Sequence, residues 1–487
     1  MAPCVAGCGG SSGGASRLSA GDIWIRDVTV VSPERSEPLP HAHVVIRQKA
    51  ILSVGVEAPG DATTGVTVID GAGRYLVPGL IDGHVHLAGV PGMTEEQERT
   101  LPEVAAAYDR QLPRSYLYFG FTAVVDLNVL DRARLERFRA ADPGPAIFDC
   151  GGGLALANGY PMAYLPPATR FDRFYNFLYD ARQAGSIPKQ YSQADHTPEA
   201  NVARAVSDGA KCIKTYYESG FGELAGLPVP TLEMMRAVRD ASHRRGVPLL
   251  LHANTLAAHR FAAAAGVDVV VHGMWNQDDD NAPGLTSPAR EVLDAEIKAG
   301  VGMMPTSRIV SGLADVLSPA FLNDPHLSRV LLARLLAWYR SDEGQWFARS
   351  MSSQGPPGNG RREILRRVQH QGQQAAVYFV NQGGRLLFGS DTPSGPTYAN
   401  PPGYNGYLEL RELEAAGLSP RQLLRAATVE NARLFGLTGY GTIEAGNIAS
   451  LLLLREDPLA STAAIDAIDT VIVRGRVISR SALLAHE

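Results

Sequence analysis

Apolar and polar positions fall into three textures along the chain. Near the N-terminus they alternate in short runs separated by turn residues, at Asp22–Val31, His43–Arg47 and Ile51–Val54. Period-two alternation predicts half-buried strands, and several in succession predict a small β-sandwich. The same texture returns at Ile448–Leu454 and Val471–Ile478. Two strand-rich ends around a different middle predict one composite domain, built from residues 21–75 and 440–487.

The middle, residues 76–439, changes pattern. Continuously apolar runs occur at 76–82, 121–126, 146–149, 211–216, 247–251, 267–271, 300–304 and 385–389. Helical patterns fill most gaps, for example Thr231–Arg245 and Leu256–Ala265. Eight strands alternating with helices predict an α/β fold, a (β/α)8 TIM barrel rather than an open sheet. Unbroken apolar runs suit strands buried on both faces. An insertion at 307–384 is partly helical (329–340 and 361–379) around the flexible sequence Gly355-Pro-Pro-Gly-Asn-Gly360. On the catalytic face of a barrel such a segment is expected to act as a lid.

Composition narrows the function classes. The chain has 487 residues, long for one ordinary domain and short for three. Apolar residues make up 45%, charged residues 20%, and the net charge is −5. No broad basic surface follows, so nucleic acid is not an expected partner. No run of eighteen apolar residues predicts a transmembrane segment. Cys4, Cys8, Cys150 and Cys212 show neither paired metal spacing nor a disulfide framework, and Cys150 and Cys212 read as buried free thiols. Val5-Ala-Gly-Cys8 and the Gly/Ser tract to Ser16 resemble a lipoprotein attachment box and tether, without the apolar region that should precede it. The expected location is therefore cytoplasmic, or periplasmic as a lipoprotein if the Cys8 box is real. Residues 1–20 are expected to be a disordered tail or tether.

The chemistry gathers at strand ends. His84 and His86 follow an apolar run directly, and at period two both imidazoles point the same way. Such a pair suits zinc or a similar divalent ion. Spacing alone is weak evidence: His41-Ala-His43 has it too, at a strand start without partners, and reads as a surface feature. His252 ends Val247–His252, His272 ends Val267–His272, Asp391 ends Leu386–Asp391, and Lys214 closes Lys211-Cys-Ile-Lys214. All lie where catalytic groups of a barrel collect. Strand parity does not choose between Lys211 and Lys214. Gly151-Gly-Gly153 lacks a lysine partner and reads as a flexible active-site loop, not a phosphate loop. Asp278-Asp-Asp280 reads as an exposed loop.

Val77-Pro-Gly-Leu-Ile-Asp-Gly-His-Val-His-Leu87, Gly209–Lys214, His252, His272-Gly273, Gly389-Ser-Asp-Thr-Pro393, Ala426–Ala432 and Gly441–Gly446 together resemble the amidohydrolase superfamily over about residues 22–480. The similarity is greatest to its two-metal members, prolidase-like and imidazolonepropionase-related enzymes. The resemblance implies that His84, His86 and Asp391 hold a buried metal and that His252 and His272 hold a second. Lys214, chosen over Lys211 by the family's Ile-Lys pattern, would bridge both as N6-carboxylysine. Two divalent ions, Zn2+ by ligand type, would acidify a shared water so that metal-bound hydroxide exists near neutral pH. Asp391 would carry its proton to the leaving amine. One departure stands out: Ser450 occupies the position of an aspartate in the family's C-terminal strand, which questions a local structural contact.

The loops after the strands offer Tyr216 as an oxyanion donor and Tyr217, Trp275, Arg308, Tyr404 and Asn405 as substrate contacts. The reaction implied is hydrolysis of an exocyclic amide in a small molecule, a dipeptide or N-acyl amino acid, by a monomer or homo-oligomer. Opening of a cyclic amide, lactam or lactone is the competing chemistry. A metal-holding barrel that binds a ligand without turnover is the non-enzymatic alternative, against which the proton shuttle Asp391 argues.

Overall fold

A computed structural model describes residues 17–61, 64–279, 282, 284–353 and 360–486. The outer strands of the N-terminal part are β1 (Ile23–Val30), β2 (Leu39–Arg47), β3 (Ala50–Gly55), β4 (Thr67–Asp70) and β5 (Tyr75–Pro78). The inner strands are β6 (Leu80–Val85), β7 (Phe121–Asp126), β8 (Ala146–Asp149), β9 (Ile213–Tyr216), β10 (Leu249–His252), β11 (Val269–Val271) and β12 (Gly302–Met304). The chain ends on β13 (Leu451–Leu454), β14 (Ile468–Val473) and β15 (Arg476–Ser479).

Strands from both ends join in one eight-stranded sheet, ordered β15-β14-β13-β5-β1-β2-β3, with β4 beside β1. One mixed sheet thus stands where two stacked sheets were expected. Ile25, Val44 and Leu76 share a core with Leu451 and Ile472, so the two chain ends bury the same apolar face. The expected strand at 471–478 is a hairpin. Arg474 (φ 49°) and Gly475 (φ 79°) turn it, and a Cβ at Gly475 would sit 1.7 Å from the Gln48 carbonyl oxygen. Ser450 keeps a structural role: its carbonyl accepts from Gly79 N and its hydroxyl from Arg474 N. Residues 17–20 do not belong with a disordered tail, because Leu18 is buried against Trp24 and Val45.

The expected first barrel strand, 76–82, is two strands. Gly79 N bonds Ser450 of the outer sheet, and Leu80 N bonds Gly120 next to β7, so the chain changes sheets at Gly79. A side chain there would strike Thr122. The inner strands form a TIM-barrel-type arrangement of two parallel sheets, β6-β7-β8 and β9-β10-β11-β12. Isolated backbone bonds bridge the seams. Lys211 N bonds Asp149 O, Leu154 bridges Thr215, Met303 bridges Leu386, and Val85 bridges Thr392. The eighth run, 385–389, therefore touches both neighbours without forming a ladder. Helices cover the outside: Leu232–Arg244 starts on a Thr231 cap, and Leu256–Ala265 ends on left-handed Gly266. No helix among the described residues is long and apolar enough to cross a membrane.

The insertion contains more helix than its pattern predicted. It carries Arg308–Val316, Leu327–Val330, Ala333–Arg340, Trp346–Ser353 and Gly360–Asn381. Tyr339 and Trp346 donate to the Pro91 and Gly92 carbonyls after β6, so the segment packs onto the face where the inner strands end. The expected lid tip, apart from Gly360, lies outside the described residues.

Cys150 and Cys212 form a disulfide, correcting the expectation of free thiols. Cys150 follows β8 and Cys212 precedes β9, with Cα atoms 4.5 Å apart and 62 residues between them in sequence. Linear spacing carries no sign of this contact, because the seam between two strands creates it. The bond lies in the barrel core with Ile81, Val125 and Leu250. Closing a loop of that length is worth about 4 kcal/mol by chain entropy. The variant Cys150→Ala/Cys212→Ala is expected to lose up to about that much unfolding free energy in denaturant titration. Unchanged stability would show that the seam needs no covalent clamp.

Candidate metal centre

Six side chains singled out above occupy the same end of the inner strands. His84 lies near the end of β6 and His86 just beyond it. Lys214 lies in β9, His252 ends β10, His272 follows β11, and Asp391 follows the eighth run. The eighth run reaches β6 closely because residue 389 is glycine: a Cβ there would lie 2.6 Å from His84 Cβ. Asp391 N then bonds the His84 carbonyl at 2.7 Å. His272 (φ 90°), Thr306 (φ 47°) and Asp391 (φ 50°) all adopt left-handed backbone. Such conformations cost about 1–3 kcal/mol each, and persist where packing over-determines them.

His84, His86 and Asp391 form a cluster that could hold a metal ion, with one potential ligand atom from each all within 4.8 Å of one another. Asp391 Oδ1 lies 3.1 Å from His84 Nε2 and 2.9 Å from His86 Nε2, yet makes no hydrogen bond. The two ring nitrogens are 3.1 Å apart. These atoms face a common point, as ligands around an ion do. His252 and His272 pack edge to face at 4.4 Å, and His272 lies 5.5 Å from His84. Thr306 Oγ1 holds His272 Nδ1 at 2.7 Å, which leaves Nε2 for a ligand. Lys214 Nζ is buried without a hydrogen-bond partner.

Burial dominates the protonation of this group. It lowers the His84 pKa well below that of ordinary histidine, aided by the charge of Lys214. It lowers His272 and His252 as well, with Glu218 opposing it at His252. Burial also pulls His86 down, but the facing carboxylates of Asp126 and Asp391 outweigh it and hold His86 at about 9. Burial brings Lys214 down to about 7 against the pull of Asp391. Burial thus favours the neutral imidazole that metal ligation needs at His84, His252 and His272, and a partly neutral amine at Lys214, while the two carboxylates beside His86 favour its charged form.

The pocket residues divide. Trp275 is half-buried with its ring 5.2 Å from His272, so it lines the site. Tyr216 follows Lys214 on the same face; its hydroxyl is buried, unpartnered and pressed against Gly153. The other four expected contacts are corrected. Tyr217 points the opposite way, onto Phe261 of an outer helix at 4.2 Å. Arg308 is wholly buried and pairs with Asp315 and Glu412, bonding Asn405 as well. Tyr404 bonds Asp324 and stacks on His326. Asn405 donates to Ser390 O and Thr392 Oγ1, so it braces the Asp391 loop. Gly151–Gly153 is buried, with Gly153 N bonded to Asn128, rather than a flexible loop. Asp278 is exposed, as expected of its loop.

Sequence reasoning passed over several residues. Asp82, buried inside the quoted motif, accepts from His84 N, Ser390 N and Ser390 Oγ, tying both ligand loops together. Burial raises its pKa to about 7 against those bonds. Asp126 ends β7, the position rule that found the other ligands, and lies 3.7 Å from His86 Nδ1. Glu218 and Tyr160 flank His252. The look-alike pair stays apart from any cluster: exposed His41 pairs with Asp27, and His43 accepts from Trp24.

Residues 75–286 and 359–478 match the model of the amidohydrolase family, leaving most of the insertion's first half unmatched. An adenine deaminase of Rubrobacter xylanophilus is 46% identical over 65 residues, 13% of this chain and 11% of that protein. An allantoinase of Desulfitobacterium hafniense is 30% identical over 143 residues, 29% of each chain. The chain thus matches less than a third of the length of these two curated relatives. Among solved structures, a Xaa-Pro dipeptidase with bound methionine in the active site superposes with a TM-score of 0.64 at 19% identity, over 94% of this chain and all of that one. At that identity the likeness concerns the fold.

Proposed function

This chain belongs to the amidohydrolase family, and from that premise we propose that it is a metal-dependent hydrolase of exocyclic amides, of the dipeptide or N-acyl amino acid type. The convergence of His84 Nε2, His86 Nε2 and an unpartnered Asp391 Oδ1 on one buried point carries the reading. Three lone-pair groups gathered in a buried site are costly unless a cation collects them. His252 and His272 would supply two further nitrogens, and the unpartnered Lys214 Nζ is the amine that would carry a carbamate to hold the metal. The likeness to a Xaa-Pro dipeptidase supports the exocyclic choice.

Bound metal would supply Lewis-acid polarisation of the scissile carbonyl and acidification of a water. The chain's own groups do the rest. Asp391 takes a proton from the attacking water and delivers it to the departing nitrogen. Tyr216 is the hydroxyl we assign to the developing oxyanion. Asp82 and Asn405 hold the Asp391 loop in place, and Asp126 orients His86. Trp275 shields the His272 side from water.

Purified protein is expected to hold about two divalent ions per chain, lose activity on chelation and regain it with zinc. A screen of dipeptides, N-acyl amino acids, lactams and lactones on zinc-loaded protein is expected to show turnover of the first two classes. Full activity in a metal-free preparation would overturn the metal assignment. Turnover confined to lactams or lactones would overturn the exocyclic one.

A further inference from the structure

Glu218 is a buried carboxylate that the mechanism does not use. It lies four residues beyond Lys214, at the site end of β9, and its residue is 6% exposed. Oε1 accepts from Gly220 N at 2.9 Å, which fixes the carboxylate. Oε2 has no hydrogen-bond partner. Among the described residues it faces His252, whose Nε2 is 3.7 Å away. An imidazole that ligates a metal is neutral, so His252 itself would give that carboxylate no charge partner, and its Oε2 would lack a direct donor even with the ion nearby. A buried anion of this kind needs a cation or further donors.

Aromatic rings stand over the same place. Tyr160 packs on His252 at 4.7 Å, beside Glu218. Its ring meets Tyr164 at 5.6 Å, Tyr216 at 5.9 Å and Phe221 at 6.0 Å. Phe221 and Tyr164 are 52% and 45% exposed and lock their loops together, since Phe221 N donates to Tyr164 Oη. The aromatic surface therefore runs from solvent to a metal-ligating histidine, with an unbalanced carboxylate at its inner end. Aromatic faces and a carboxylate together make a site for an organic cation.

Building on the amide-hydrolase reading, we propose that Glu218 and the Tyr160–Phe221 aromatic wall form a subsite for a substrate ammonium group. In a dipeptide the free amino group sits on the carbon next to the scissile carbonyl. It therefore falls beside the metal ligands, where Glu218 lies. An N-acyl amino acid has no cation at that position. The subsite thus selects peptides with a free amino terminus from the two amide classes proposed above. The exposed rings of Tyr164 and Phe221 accommodate the first residue's apolar side chain.

The test compares a dipeptide with its N-acetyl derivative on zinc-loaded wild-type protein, Glu218→Gln and Glu218→Asp, with metal content measured for each. Wild type is expected to favour the free amine by about tenfold to a hundredfold in kcat/KM, the range of a charge-assisted bond. Glu218→Gln is expected to abolish that ratio at unchanged metal content, and Glu218→Asp to keep part of it. The rim variant Phe221→Ala, at an exposed position, is expected to narrow the ratio several-fold. Loss of metal in Glu218→Gln, or an equal fall on both substrates, would overturn the proposal while leaving amide hydrolysis intact. If neither substrate turns over, the hydrolase reading fails. Calorimetric titration with an amino acid amide and its N-acetyl form then decides the subsite. Tighter binding of the amine by wild type alone supports it, and equal binding overturns it.

Discussion

Asp391→Asn is expected to retain metal while kcat falls about a thousandfold to ten-thousandfold, the upper range for a positioned proton carrier. The substitution keeps the shape of the side chain and an oxygen that can face His84 and His86, which lie 3.1 and 2.9 Å from Oδ1. What it removes is basicity. An amide cannot accept a proton from water and return it to a leaving nitrogen. Backbone support does not change either, because Asp391 N stays bonded to the His84 carbonyl and asparagine tolerates left-handed φ. Metal analysis beside steady-state kinetics separates the two functions of the residue. Near-wild-type turnover with full metal would place the proton shuttle elsewhere, and Asp126 would be the next carboxylate to test.

The metal ligands were legible because barrel topology turns linear position into spatial position. A residue ending an inner strand lies at one face, whatever its place in the sequence, so His252, His272 and Asp391 could be joined to His84 and His86 before any coordinates. The same rule applies to Asp126, which ends β7, and to Glu218, which closely follows β9; neither residue type sits in a repeated motif that drew attention. Loop residues obey no such rule. Arg308 looked like a carboxylate clamp, yet Asp315 and Glu412 neutralise it from partners 7 and 104 residues away. Tyr217 was mistaken for a site residue although alternation along β9 turns it outward once Lys214 faces in. The disulfide was invisible because the β8–β9 seam, not the spacing of cysteines, brings residues 150 and 212 together. The change of sheet at Gly79 was hidden for a related reason: both sheets bury apolar strands, so the hydrophobic residues on either side look alike, and Pro78-Gly79 was the one local sign of the boundary.

Lys214→Met is expected to bind about one divalent ion in place of two and to lose at least about a hundredfold in kcat/KM, the cost of disrupting a metal shell. The lysine is 2% exposed, and its Nζ has no hydrogen-bond partner. A permanent ammonium there would be a buried charge, which accounts for the downward pull of burial on its pKa, to about 7. The sign favours chemistry: above pH 7 the neutral amine prevails, and only a neutral amine attacks CO2. A carbamate formed there would exchange one unpartnered nitrogen for two oxygens sharing a negative charge, in the neighbourhood of His84, His252 and His272. Methionine fills similar volume without a polar atom, so the fold is expected to survive and the defect to be one of metal occupancy. In Lys214→Ala, where the side chain is truncated, acetate or propionate entering the vacated space is expected to restore part of the second metal and of the activity. Protein prepared with 13C-labelled bicarbonate is expected to show a carbamate carbon resonance that Lys214→Met lacks. Two ions per chain and near-wild-type rates in Lys214→Met would remove the bridge. About one ion per chain in wild type as well would instead leave the cluster of His84, His86 and Asp391 as a one-metal site, the arrangement that favours opening a cyclic amide.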